Sequence, residues 1–250
     1  MASGARLRLL SYNIHGLRDD RAALTAVLRD AEPDVAILQE APRRLRWRTR
    51  TAQLAQRTGL VYAAGGAPSL GNVILTSMRV RVTGSSCLTF PLTPGRHLRG
   101  AVHACCAVAG GGFLVAGSHL STDPAERPGQ ARLLHRALAE AAAGSGLPVL
   151  LGADLNEPPG AEVWRLLGDG LVDAGLVDAG SADPARETRP AASTLLAANT
   201  FPAADPTQRL DGVLVDPRVV VTRYQVVDSP EARLASDHLP VLVEVELPAS

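Results

Sequence analysis

The sequence predicts an α/β fold with mixed β-sheet and one polar edge, on three observations. Short apolar runs of strand length recur from Leu7 to Leu247, with two helix-like segments among them. Four of the runs end in residues able to do chemistry: Tyr12-Asn13, Gln39-Glu40, Ser118-His119 and Asp154-Leu155-Asn156. Two others begin with such residues: Arg209-Leu210-Asp211 and Ser236-Asp237-His238. Gathering all six groups at one edge requires the last two strands to run antiparallel to the first four, which is how sites are commonly built on strand ends.

Taken in order, Leu7–Tyr12 reads as a buried strand. Arg21–Ala31 reads as a helix, with Leu24, Val27 and Leu28 at helical spacing, Asp19 or Asp20 as N-cap, and Pro33 just past the end. Val35–Leu38, Asn72–Leu75 and Phe113–Gly117 follow as strands. Arg132–Ala143 is a Leu- and Ala-rich helix behind Pro128-Gly129, closed by Gly144. Pro148–Leu151, Leu210–Val215 and Leu239–Leu247 complete the strands. The most loop-like segment is Ala179–Gln208, which nonetheless holds the apolar stretch Thr194-Leu-Leu-Ala-Ala. Without a repeat or long linker, the expectation is one domain over residues 1–250.

Composition narrows the function classes. Basic and acidic residues balance at 25 each, so no global basic field advertises a nucleic acid partner. All the basic residues are Arg, which fits the codon bias of a GC-rich genome and rules out a catalytic Lys. Cys87, Cys105 and Cys106 do not form a disulfide framework; the adjacent pair points to opposite strand faces, and all three are expected as small buried residues in a reducing compartment. Met1-Ala-Ser-Gly leads straight into an apolar run without a signal-peptide pattern, and no apolar stretch has membrane-spanning length. The expectations are a cytoplasmic location, no membrane insertion and no obligate protein partner.

The polar strand ends fit one reaction. Hard divalent cations take oxygen ligands, which Glu40 with Asn13 beside it can supply. Asp154 and Asn156, two apart on extended chain, face one side and can hold water and phosphate together. His238, oriented by Asp237 or another acid, is expected as a base near neutral pH. The sequence has no nucleophile elbow, P-loop or zinc-spaced Cys/His set.

In this order Ser11-Tyr12-Asn13-Ile14-His15-Gly16, Ile37-Leu38-Gln39-Glu40, Gly117-Ser118-His119-Leu120, Leu151-Gly152-Ala153-Asp154-Leu155-Asn156, Arg209-Leu210-Asp211 and Ser236-Asp237-His238-Leu239-Pro240 resemble the endonuclease/exonuclease/phosphatase superfamily. The resemblance covers Leu7 to Leu247. It implies a four-layer α/β sandwich, two packed mixed sheets flanked by helices, and a phosphoester hydrolase dependent on Mg²⁺ or Mn²⁺. By motif match Glu40 is the principal metal ligand, with Asn13 and Asp237 beside it. His119 contacts the scissile phosphate, Asp154 positions or deprotonates the attacking water with Asn156 assisting, Asp211 orients a catalytic His, and His238 is general base or phosphate partner. Two positions depart from the pattern: Gly212 stands where many relatives carry a larger residue, and His15 where relatives vary.

The substrate is open between two classes. Arg43, Arg44 and Arg46, in the run Arg43-Arg44-Leu45-Arg46-Trp47-Arg48-Thr49-Arg50, are candidates to grip the phosphates of DNA or RNA, with Trp47 to stack a base. The alternative substrate is a small molecule or lipid head group, with the run a solvated surface. A non-catalytic binding module is the third reading, disfavoured because no catalytic position is missing.

Overall fold

The computed structural model describes residues 4–176 and 199–249. Along the chain these form β1 (Arg6–Asn13), α1 (Arg21–Ala31), β2 (Val35–Gln39), α2 (Trp47–Thr58), β3 (Val61–Gly66), β4 (Asn72–Thr76), β5 (Arg81–Thr89), β6 (Gly100–Val108), β7 (Gly111–His119), α3 (Arg127–Ser145), β8 (Val149–Asp154), α4 (Glu162–Leu167), β9 (Val172–Asp173), β10 (Asp211–Val215), β11 (Val220–Val226), α5 (Pro230–Ala235) and β12 (Val241–Glu246). Most of the loop-like segment expected at Ala179–Gln208, including its Thr194 stretch, lies outside the described residues.

Two six-stranded mixed sheets result, ordered β11-β12-β1-β2-β4-β3 and β5-β6-β7-β8-β10-β9. Each centres on one parallel pair, β1 with β2 and β7 with β8, and β12 and β10 run antiparallel to them as expected. The second sheet is one continuous stretch of chain inserted between the two parts of the first. An apolar cluster including Leu9, Ile37, Val115, Leu150, Val213 and Val243 fills the space between sheets. A second cluster seats α1, α2 and α5 on the outer face of the first sheet, and a third seats α3 and α4 on the outer face of the second. That is the four-layer sandwich. Truncating one of these buried Leu or Ile residues to Ala costs about 2–5 kcal/mol.

Local chemistry explains the elements. The Asp20 carboxylate accepts from the backbone N–H of Ala22 and Ala23, capping α1, whose apolar stripe Leu24, Val27 and Leu28 is buried. Near the polar edge the sheets approach closely: a Cβ on Gly117 would lie 2.6 Å from Ile37, and one on Gly152 would lie 2.9 Å from Ser11 Oγ. Gln39, fully buried there, donates to Ser11 Oγ at 3.2 Å and to the Gly152 carbonyl at 3.4 Å, tying the sheets together. The cysteine expectation needs correcting. Cys106 is buried and Cys105 partly so, but Cys87 is exposed, because β5 is an edge strand with little packed over it.

Candidate active site

The strand registers assemble the site. Asn13 pairs with Gln39 across β1 and β2, and His119 and Asp211 each pair with Asp154 across β8. Glu40 follows directly on β2, and His238 precedes β12. The first sheet contributes Asn13, Glu40 and His238, the second His119, Asp154, Asn156 and Asp211, so the site straddles both.

Asp154 is its centre and is 1% exposed. Its Oδ1 accepts from the Asn156 N–H at 3.0 Å, and its Oδ2 from Asn13 Nδ2 at 2.9 Å. The same Oδ2 lies 3.2 Å from His119 Nε2 and 3.8 Å from His238 Nε2. The two histidines differ in their second partner. His119 Nδ1 lies 3.0 Å from Arg99 Nη1 and 3.7 Å from Glu40 Oε1, whereas His238 Nδ1 lies 2.8 Å from Asp211 Oδ2. Thr200 Oγ1 donates to that Asp211 oxygen at 2.6 Å, and the Phe201 ring packs 4.8 Å from the His238 ring.

The partners set opposite proton affinities. Burial, with Arg99 adding to it against the opposing pull of Asp154, pushes His119 down to about 3, so its ring is neutral. Burial disfavours charge on His238 too, but the charge of Asp211 and its hydrogen bond, with Asp154 and Asp237 behind it, outweigh burial and lift it to about 10. The shift bears on the expectation of His238 as a base near neutral pH, because a raised proton affinity favours the charged ring. Its orienting acid is Asp211 and not Asp237.

Asp237 sits at the rim, with its side chain 42% exposed and its Oδ1 3.8 Å from His15 Nδ1. His15 is tied more closely to Asp19, at 2.7 Å. Glu40, Asn156 and His15 all have left-handed φ, at 51°, 51° and 43°, the kind of backbone strain that collects at functional sites. The small residue at Gly212 has a local cause, because the Trp164 ring occupies the space a side chain there would need.

The arginine run divides. Arg43 donates to the carbonyls of Leu70 at 3.3 Å and Leu98 at 3.1 Å, tying two loops together. Arg44 and Arg46 are exposed, and Arg48 lies over the half-buried Trp47 ring at 4.5 Å, with Gly66 packed against that ring. Arg99, Thr200 and Phe201 were not among the sequence candidates. Arg99 carries no signal in the sequence, since only the β6–β7 register brings it beside His119.

Two residue sets compete for a cation. Asp154, Asp211 and His238 form the tight acidic cluster, and all are buried and bonded to one another or to neighbours. Glu40 and Asp237 offer the second set, at the rim. Both carboxylates are partly exposed and neither is closed into an ion pair shorter than 3.7 Å.

No curated protein matches the chain by sequence. Among solved structures, a mannosyl-6-phosphatase from Bacteroides thetaiotaomicron aligns at TM-score 0.75 and 19% identity, over 96% of this chain and 99% of that one. The human Nocturnin catalytic domain with bound sulfate aligns at 0.74 and 18%, over 96% and 94%. TDP2 from D. rerio, complexed with a single-strand DNA product, aligns at 0.72 and 20%, over 97% and 99%. At these identities the likeness speaks for the fold. The pattern of the Endonuclease/Exonuclease/phosphatase family matches residues 10–238, most of the chain. By that match the chain belongs to the endonuclease/exonuclease/phosphatase family.

Proposed function

We propose that the chain is a divalent-metal-dependent hydrolase of phosphate esters, with a phosphodiester of nucleic acid as the first substrate class. One observation carries this reading: two histidines of opposite proton state converge on one buried carboxylate oxygen, with Glu40 open beside them. Sites that push like groups to opposite proton affinities divide donor and acceptor roles between them.

Asp154, held on both oxygens by Asn13 and Asn156, orients the attacking water and accepts its proton. His238, charged and braced by Asp211, faces the phosphate as a cation and gives its proton to the leaving oxygen. His119, neutral, has a single N–H, which would pass from Asp154 to a non-bridging oxygen once the phosphoryl group is bound. Glu40, Asp237 and Asn13 would hold Mg²⁺ or Mn²⁺, which supplies charge neutralisation at the phosphoryl group when bound.

Arg44, Arg46 and Arg50, exposed just beyond Glu40, support a nucleic acid substrate. A small phosphoester is the second reading, favoured by Arg43 being occupied by two carbonyls and by the Trp47 ring being packed under Arg48. The test is hydrolysis of a chromogenic phosphodiester and monoester beside plasmid and single-stranded DNA, with Mg²⁺, Mn²⁺ or EDTA. Cleavage of DNA that EDTA abolishes supports the first reading. Turnover of small esters with DNA intact supports the second. Silence on every substrate overturns both.

A further inference from the structure

Arg99, the residue before β6, belongs to none of the family's sequence motifs quoted above, yet it reaches the centre of the site. Across the β6–β7 ladder Gly100 pairs with His119, which sets Arg99 beside that histidine. Arg99 Nη1 lies 3.0 Å from His119 Nδ1, and its Nε is buried with no hydrogen-bond partner among the described residues. A guanidinium has five N–H donors and no acceptor, and it keeps its proton in proteins.

That chemistry leaves one arrangement of the ring. A donor on Nδ1 requires a lone pair there, so the proton of a neutral imidazole sits on Nε2. Nε2 in turn lies 3.2 Å from Asp154 Oδ2, which accepts. Asn156 Nδ2 also lies 3.0 Å from Nε2, where two donors would face each other. The amide can exchange its ends, giving up its bond to the Leu120 carbonyl, whereas the guanidinium cannot become an acceptor. Arg99 has a second consequence. Glu40 Oε1 stands 3.7 Å from the same Nδ1 and would draw a proton onto that nitrogen if Arg99 were absent.

We propose that Arg99 is a positioning residue that acts through His119, locking it as the Nε2–H tautomer whose one proton points to Asp154. The proposal rests on the hydrolase reading above for its role in turnover, but the lock itself can be read without activity. Nitrogen-15 NMR of histidine-labelled full-length protein in EDTA reports it directly, with the His119 signals identified by their loss in His119→Asn.

The wild-type protein is expected to show the Nε2–H pattern at His119 near neutral pH. Arg99→Lys, which still offers only donors, is expected to preserve it and to retain turnover within about tenfold. Arg99→Met is expected to move the proton to Nδ1, toward Glu40, and to lower kcat on the order of a hundredfold with KM changed far less. An Nδ1–H ring in the wild type, or an unchanged Nε2–H ring in Arg99→Met, overturns the proposal. The wild-type spectrum decides even if Arg99→Met does not fold. A correct tautomer in a protein that cleaves no phosphoester upholds the lock and sinks the hydrolase reading alone.

Discussion

The two histidine arms of the site use the same side chain against the same oxygen of Asp154 and reach opposite states. His119 meets an arginine from its own sheet; His238, from the first sheet, meets Asp211 from the second. Burial pushes both toward neutrality; at His238 Asp211, with Asp154 and Asp237 behind it, outweighs burial, whereas at His119 Arg99 adds to it. The difference teaches that the role of a catalytic histidine is written in its far nitrogen. The near nitrogens, at 3.2 and 3.8 Å from one carboxylate, would not distinguish the two arms.

The largest expected effect comes from the group between the arms and the proposed cation. Glu40→Gln should abolish steady-state turnover, with partial recovery at raised Mg²⁺ or Mn²⁺; an unchanged rate without recovery removes Glu40 from the cation site. Next, His119→Ala and His238→Ala should each lower turnover on the order of a hundredfold with the fold intact by circular dichroism. Near-normal turnover in either one removes that arm. Asp211→Asn takes away the charge that holds His238 protonated, so the alkaline limb of the kcat profile should move toward lower pH; a fixed limb would mean that Asp211 does not set it. Thr200→Val, which deletes the bond bracing Asp211 and the acceptor for the Leu210 and Asp211 N–H groups, should cost less, on the order of tenfold in kcat, measured on the same substrate.

The smallest effect concerns stability, and its sign separates the arms. An unfolded histidine titrates near about 6.5. His119, lowered in the fold, is forced to stay neutral, so stability is lost as pH falls below that value toward 3. His238, raised in the fold, contributes stability that is present below about 6.5 and lost as pH rises toward 10. Urea midpoints measured in EDTA across pH should show the acid limb flattened in His119→Asn and the alkaline limb flattened in His238→Asn. Exchanged limbs would contradict the assignment of the two states.

The sequence was most legible where local chemistry and burial agree. The α1 boundaries follow from Asp20, the stripe of Leu24, Val27 and Leu28, and Pro33, and the buried strands β1, β2, β4, β7, β8, β10 and β12 follow from their apolar runs. It was silent where they part. β5 is exposed along most of both faces, β6 is built largely from small residues, and α2 buries only Thr51, Leu54, Ala55 and Thr58 beneath an Arg-rich surface, so none carries a strong period. Candidate residues at strand ends were legible because each follows or precedes an apolar run. Arg99 and the bond from Thr200 to Asp211 were not, since both depend on pairings between segments distant in the chain. The direction of the shift on His238 was equally out of reach, because it requires knowing which of several nearby acids touches the ring.

The path of the chain through the two sheets has a mechanical consequence. Among the described residues two peptide crossings join them, at Ser77–Val80 and Asp216–Val219, and both lie at the edge opposite the candidate site, beside Asp34 and Val149. The sandwich is thus a clam whose covalent hinge is on one side and whose lips meet at the chemistry. Asn13 to Asp154 and His238 to Asp211 are latches between the lips, beside the bond from Gln39 to Gly152, so bonds that arrange the candidate site also help keep the shell shut.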